Sequence, residues 1–206
     1  GVMALFIKEG HQQQALQAAE GIQEILTTYN TEREAKGRAL IRMGIGIHTG
    51  PLMMGIIGDT LRMEAGVVSD TVNTAARMEG LTKYFGTHIV LSETVFQGLT
   101  ELQQKPLRYL GQVLVKGRRK PTHIYASLAG FGQDMLQRYE QTHADFVRAL
   151  QAYHQGKFAE SLHLLDKILD VHPTDKAARY YHTCAKHYLT EGPPEDWQGV
   201  ETMLGK

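Results

Sequence analysis

Apolar residues recur at helical spacing near the start of the chain and alternate with polar or small residues shortly afterwards. Between Gln12 and Arg33 the apolar positions lie three or four residues apart, which predicts an amphipathic helix whose apolar residues enter the core. From Ile41 to Ile47 every second residue is apolar, which predicts a strand. Thr49-Gly50-Pro51 then predicts a turn into a second short apolar strand, so we expect a hairpin here.

The pattern changes after Tyr125, where strand alternation gives way to helical spacing. The apolar residues between 133 and 189 predict two antiparallel helices joined at Gly156, with Pro173 ending the second of them. A third helix is expected from about Asp175 to Leu189.

This helical part resembles one tetratricopeptide repeat, with Ser161 at the position of the usual small residue. One repeat cannot bury its faces alone, so we expect the tail to dock on the rest of the chain or on a second copy. A structural or dimerising role is expected rather than peptide binding. Trp197 should fold back onto the helices and close their exposed end.

Composition and charge limit the range of partners. Lys and Arg number 22, as do Asp and Glu, and this balance does not predict binding to nucleic acid or to an anionic membrane. The single Cys184 cannot form an internal disulfide, which suits a reducing compartment such as the cytoplasm. The most apolar stretch, residues 43–58, is interrupted by glycines and Pro51 and predicts no membrane span. There is no signal-peptide pattern.

The most informative run of the chain lies at residues 66–77, which read Gly-Val-Val-Ser-Asp-Thr-Val-Asn-Thr-Ala-Ala-Arg. Ser69 and Asp70 are typical of a helix start. Asn73 and Arg77, four residues apart, would then project from one helix face, while the small alanines between them pack onto a sheet. An amide beside a guanidinium can hold a phosphate and a neighbouring oxygen, although a solvated surface helix is the alternative.

Four short runs follow one another along the chain: Gly46-Ile-His-Thr-Gly50, Val72-Asn-Thr-Ala-Ala-Arg77, Ile89-Val-Leu-Ser-Glu93 and Val115-Lys-Gly-Arg118. Their order resembles that of the class III nucleotidyl cyclases. The resemblance covers about residues 1–128 and leaves 129–206 as the helical tail. It implies an α+β, ferredoxin-like fold in which helices cover one face of an antiparallel sheet, with a small all-α tail added.

The resemblance also implies roles for four residues. Asn73 would orient the ribose, Arg77 would stabilise negative charge on the α-phosphate in the transition state, and Lys116 would bind the terminal phosphates. Gly66 stands where adenine-specific members carry an Asp or Thr that contacts the base. Base selection here would therefore use a backbone group or water, or would be weak.

The implied reaction is the cyclisation of a purine nucleoside triphosphate with release of pyrophosphate. ATP is the expected substrate, and GTP is the alternative. In the family, two divalent ions, Mg²⁺ or Mn²⁺, are held by two Asp residues of the partner protomer, so the site needs a homodimer or a paired cyclase domain. Gly1 to Phe6 looks like the strand that follows the second of those Asp residues. We therefore expect the metal ligands to lie upstream of residue 1, the parent protein to be active, and this fragment alone to be inactive.

Three questions stay open from the sequence. Gly66 also fits a pseudo-cyclase that binds nucleotide and regulates a neighbouring domain. The helical tail alternatively carries the function as an interaction module, with the cyclase-like part as its scaffold. Gly44 and Gly46 leave one face of their strand bare, so that a nucleotide, a partner subunit or a tightly packed helix can lie against it.

Overall fold

The computed structural model describes residues 1–59, 62–115, 121–195, 197 and 199–203. The described residues form seven helices and seven strands. The helices are α1 (His11–Ala35), α2 (Asp70–Phe85), α3 (Glu93–Phe96), α4 (Glu101–Gln104), α5 (Gln133–His154), α6 (Phe158–Val171) and α7 (Lys176–Glu191). The strands are β1 (Ile45–Ile47), β2 (Met53–Asp59), β3 (Arg62–Val68), β4 (Ile89–Ser92), β5 (Arg108–Val115), β6 (Thr122–Ser127) and β7 (Glu201–Met203).

Five strands form the main sheet, in the order β1-β4-β6-β5-β7, and β2 pairs with β3 in a separate two-stranded sheet. The α+β class with an all-α tail is confirmed. The sheet differs from the expected arrangement in detail, because β1 lies parallel to β4 and β7 lies parallel to β5. The chain between β1 and β4 includes the β2–β3 pair and α2, which is long enough to return the chain in the same direction.

Apolar side chains cover both faces of the sheet. Along β4, Ile89 and Leu91 join a cluster beneath α1, whereas Val90 joins a larger cluster shared by α2 and the tail. This split follows from the alternation of side chains along a strand. Helices therefore lie on both faces of the sheet, whereas the expected fold has helices on one face only.

Helix α1 forms where the spacing predicted it, but only its first half enters the core. Leu16 and Ala19 are buried, whereas Ile22, Ile25 and Tyr29 are 42%, 72% and 46% exposed. The expectation that all of its apolar residues lie in the core is therefore wrong. The buried residues of its first half pack on β1 and β4, in one cluster with Ile47, Ile89 and Leu91, and Ile22, Ile25 and Tyr29 are not part of this cluster.

Strand β1 begins at Ile45 because side chains of helix α1 form hydrogen bonds with the backbone of the residues before it. The Asn30 side chain bonds both the amide and the carbonyl of Ile41, and the Gln23 amide donates to the Met43 carbonyl. Those groups are therefore not available to a neighbouring strand. The predicted strand from Ile41 is four residues too long at its start.

Two further strand predictions need correction. Residues 1–7 form no strand, since no described segment pairs with them and a strand needs a neighbour for its backbone groups. The hairpin expected at Thr49-Gly50-Pro51 is also absent, because β1 and β2 belong to different sheets. Strand β2 pairs antiparallel with β3 instead, and residues 60 and 61 between them lie outside the described residues.

The three tail helices form close to their predicted positions. Gly156 joins α5 to α6 with a φ of 74°, which favours glycine, and the Asp175 side chain caps α7 by accepting from the Ala178 amide at 3.1 Å. Ser161 is fully buried and donates to the Ala149 carbonyl at 2.9 Å. The likeness to a tetratricopeptide repeat and the boundary after residue 128 stay predictions.

The tail docks on the cyclase-like part, as expected. A single apolar cluster contains Met78, Leu81 and Phe85 of α2 together with Phe146 and Tyr181 of the tail. Trp197 packs against this cluster, which confirms that it folds back onto the helices.

A buried ion pair also joins the two parts. The Arg108 guanidinium lies 2.6 Å and 3.2 Å from the two carboxylate oxygens of Asp175, and these side chains are 6% and 0% exposed. The guanidinium carbon lies 4.5 Å from the ring centre of Tyr139 and 3.9 Å from that of Phe146. Polar and apolar contacts therefore hold the tail to strand β5.

Candidate active site

The start of α2 is fixed by hydroxyl groups. The Ser69 hydroxyl accepts from the Thr71 amide at 3.0 Å, so it caps the helix as predicted. The hydroxyls of Ser69 and Thr71 both donate to the Pro51 carbonyl at 2.7 Å. The Thr49-Gly50-Pro51 segment, for which a hairpin was predicted, thus holds the helix start in place. No pattern in the sequence predicts this contact.

Asn73 and Arg77 lie on the same face of α2, at positions where Cβ atoms are about 5–6 Å apart. Asn73 is exposed and Arg77 is half-buried. Thr74 and Met78, each one residue further along, are buried against the sheet. The amide and the guanidinium therefore lie together beside the core, where a polar ligand can reach the amide from solvent.

The face of α2 that packs on the sheet differs from the expected one. The buried residues are Thr74, Met78, Leu81, Thr82 and Phe85, whereas Ala76 is exposed. The long apolar residues, which recur at helical spacing, decide the orientation because they bury more apolar area than alanine does.

The two glycines before His48 allow α2 to lie close to β1. A Cβ at Gly46 would meet the Ala75 carbonyl and the Glu79 amide, and a Cβ at Gly44 would meet the Thr82 hydroxyl. Of the alternatives left open by the sequence, the tightly packed helix is the one observed. These glycines therefore position the Asn73 and Arg77 helix through packing.

Gly66 lies on β3, three residues before the cap of α2, and pairs with Gly55 of β2. Neither residue carries a side chain at this point of the hairpin, so any contact with a base here would come from the backbone or from water. Lys116 lies outside the described residues. The structure thus places Gly66, Asn73 and Arg77 on one continuous β3–α2 segment.

His48 takes part in a hydrogen-bond network between β1 and β4. Its Nδ1 lies 2.7 Å from the Ser92 hydroxyl and 3.4 Å from that of Thr94. In the described part of the chain, no three His, Cys, Asp or Glu side chains come together as metal ligands would. The described residues therefore do not fit the two divalent ions that the resemblance implies.

A second group of hydrogen-bonded polar side chains lies on the sheet. His123 of β6 lies between the Tyr109 hydroxyl, 2.8 Å from its Nδ1, and the Gln112 side chain, 2.9 Å from its Nε2. Burial raises the pKa of Tyr109, with smaller contributions from Tyr125 and Glu93. The Tyr109 phenol is therefore held protonated, as a hydrogen-bonding group. The sequence does not predict this group, because Tyr109 and Gln112 lie on one strand and His123 lies on another.

Residues 3–128 match the family of the Adenylate and Guanylate cyclase catalytic domain, and the chain belongs to this family. An adenylate cyclase of Anabaena cylindrica is 40% identical over 129 residues, which are 60% of this chain and 26% of that protein. Retinal guanylyl cyclase 2 of Homo sapiens is 38% identical over 79 residues, which are 38% of this chain and 7% of that protein.

Among solved structures, the guanylyl cyclase Cya2 matches with 28% identity and a TM-score of 0.49, over 61% of each chain. The chain spans about a quarter or less of the length of the two curated relatives. In the described ranges, no helix has both the length and the apolar character needed to cross a bilayer.

Proposed function

We propose that the protein containing this chain is a purine nucleotide cyclase that converts ATP to cyclic AMP and pyrophosphate in intracellular signalling. The observation that supports this most is the Asn73 and Arg77 pair, held on one face of a helix whose start is fixed by a cap and a braced loop. Family membership supplies the reaction class.

Each residue of this chain has a separate task in the proposed reaction. Asn73, exposed at the first turn of α2, orients the ribose so that its 3′-hydroxyl faces the α-phosphate. Arg77 offsets the charge that grows on the α-phosphate as the new P–O bond forms and pyrophosphate leaves. Lys116 binds the terminal phosphates. The two divalent ions, Mg²⁺ or Mn²⁺, would be held by carboxylates outside the described residues.

ATP is the proposed substrate because the adenylate cyclase relative aligns over a longer stretch than the guanylyl cyclase relative, 129 residues against 79. The backbone near Gly66, or water bound there, would contact the base. Without a side chain at this position, discrimination against GTP should be weaker than hydrogen-bonded recognition can give, which reaches about 10⁴ in favourable sites.

A homodimer, or pairing with another cyclase domain, completes the proposed site. The outer face of α1 supports this, since Ile25 and Tyr29 are 72% and 46% exposed and suit an apolar partner. An ATP-consuming reaction and a single cysteine, Cys184, which cannot form an internal disulfide, also fit the cytoplasm.

The test uses Arg77→Ala in the full-length protein. If Arg77 offsets charge only in the transition state, kcat should fall by about 10²–10³ with little change in KM for ATP. Arg148→Ala is the matched control, because Arg148 lies exposed on α5 and pairs with Asp145. Unchanged turnover in Arg77→Ala would refute the assignment.

A pseudo-cyclase that binds nucleotide without turnover is the second candidate. The pairing of Gly66 with Gly55 favours it, because neither residue has a side chain to select a base. Calorimetric titration with ATP separates the two candidates: binding without any cyclic product supports a regulatory role.

A further inference from the structure

The backbone carbonyl of Pro51 accepts two hydrogen bonds from the start of helix α2. The donors are the hydroxyls of Ser69 and Thr71, each 2.7 Å from the carbonyl oxygen. A carbonyl oxygen has two lone pairs, so both are used here. One backbone atom of the loop between β1 and β2 therefore contacts two neighbouring positions of α2, its N-cap and its first turn.

This loop is itself bound to other elements of the fold. The Thr49 hydroxyl lies 2.9 Å from Nε2 of His11, the first residue of α1. The Thr49 carbonyl lies 3.5 Å from the hydroxyl of Thr94 on α3. Pro51 comes two residues later, so its carbonyl is a fixed point against which the start of α2 is placed.

The same contacts reach the backbone of Asn73. In an α-helix each amide bonds the carbonyl four residues earlier, so the first bond of α2 runs from the Asn73 amide to the carbonyl of Ser69, the N-cap. Ser69 is thus bonded to Asn73 through its carbonyl and to Pro51 through its hydroxyl. Thr71 lies in the same first turn, whereas Arg77 lies further along the helix. The Pro51 contacts therefore act on Asn73 more directly than on Arg77.

Gly50 leaves the space that the Thr71 hydroxyl occupies. A Cβ at Gly50 would lie 2.7 Å from Oγ1 of Thr71 and 3.5 Å from its Cγ2. The first of these distances is shorter than Cβ contacts in proteins, so the Thr71 side chain would have to turn away from Pro51. The three atoms nearest to that Cβ all belong to the Thr71 side chain, so the change would not push on the backbone of α2.

We propose that Thr71 is a positioning residue for Asn73: its bond to the Pro51 carbonyl sets the first turn of α2, and so the direction from which the Asn73 amide meets the ribose. This inference rests on the proposed function. The first amides of a helix have no partner within the helix, so the position of this turn depends on contacts with neighbouring groups. A misplacement of about 1 Å can lower a rate by about 10²-fold, so a small shift of Asn73 is measurable.

The test compares four variants of the full-length protein. Thr71→Val removes the hydroxyl and keeps the branched shape, and Thr71→Ser keeps the hydroxyl as the conservative variant. Gly50→Ala displaces the hydroxyl without changing Thr71. Gly80→Ala is the matched control for it, because Gly80 lies on α2 and a Cβ there meets nothing within 4 Å.

Two measurements separate positioning from stability. Turnover of ATP is expressed per nucleotide-binding site, counted by calorimetric titration, because a variant that merely folds less well loses sites and keeps its turnover per site. Hydrogen exchange is followed in a peptide covering residues 69–78, with residues 89–92 of β4 as the internal reference.

Thr71→Val and Gly50→Ala should each lower kcat per site by about tenfold and leave KM for ATP within about twofold of the wild type, since the orientation of the ribose matters most in the transition state. Exchange at 69–78 should be faster in both, with 89–92 unchanged. Thr71→Ser and Gly80→Ala should stay close to the wild type in both measurements.

Unchanged turnover per site in Thr71→Val would refute the positioning role. Fewer binding sites with normal turnover per site would assign the Thr71 hydroxyl to stability alone and would also overturn the proposal. If the wild-type protein makes no cyclic nucleotide, the proposed function fails. Unchanged exchange at 69–78 in Thr71→Val would then show separately that the hydroxyl does not set the first turn of α2.

Discussion

The ion pair between Arg108 and Asp175 should be a main stabilising contact between the tail and the sheet. In Asp175→Asn the carboxylate charge is lost, while the side-chain oxygen that caps α7 is kept. The Arg108 guanidinium, 6% exposed, then remains buried without its counter-charge.

The expected loss of stability follows from that unpaired charge. Removing one partner of a buried pair costs about 3–5 kcal/mol, and because Asn caps helices as well as Asp, the cap adds nothing to this. Asp175→Ala should cost about 1 kcal/mol more, since it also removes the acceptor for the Ala178 amide. Such losses are a large part of the usual total of about 5–15 kcal/mol.

Urea unfolding followed by circular dichroism measures the effect. With a slope of about 2 kcal/mol per M, Asp175→Asn should lower the midpoint by about 1.5–2.5 M. The double variant Arg108→Met and Asp175→Asn should regain most of this, because no charge is left buried and Met can still pack on Tyr139 and Phe146. A loss below about 1 kcal/mol in Asp175→Asn, or a double variant no more stable than the single one, would refute the reasoning.

Two further changes test the packing and the pH response. Gly46→Ala should cost about 3 kcal/mol by placing a Cβ against the backbone of α2, whereas Gly55→Ala, whose Cβ meets nothing within 4 Å, should stay within about 0.5 kcal/mol in the same urea assay. Burial lowers the pKa of His172, with Asp175 opposing part of the shift, so the unfolded chain binds the proton more tightly. Stability from this group is complete above about pH 6.5 and falls as the pH drops below it. His172→Phe should flatten that fall, and His143→Gln, at an exposed position, should not; equal slopes in all three proteins would contradict the assignment.

The helices could be predicted from the sequence because their signals are local. The spacing of apolar residues located α1 and the three tail helices, and Ser69 marked the start of α2. The shared face of Asn73 and Arg77 followed from helix geometry alone. The family motifs then supplied a chemical role for that face.

Contacts between distant segments could not be predicted in this way. Arg108 and Asp175 are 67 residues apart, and no sequence pattern at either position identifies the other residue as its partner. Strand β1 begins later than predicted because the side chains of Asn30 and Gln23 form hydrogen bonds with backbone groups of the residues before it. Strand β7 has three residues, too few for alternation to be read.

The most direct test of the account is the identity of the product made by the full-length protein, incubated with ATP and with GTP in Mg²⁺ or Mn²⁺. We predict cyclic AMP, with some cyclic GMP because Gly66 offers no side chain to the base, and loss of both products in Asn73→Ala. No cyclic product from either nucleotide in a protein that still binds them, or undiminished product in Asn73→Ala, would contradict the account.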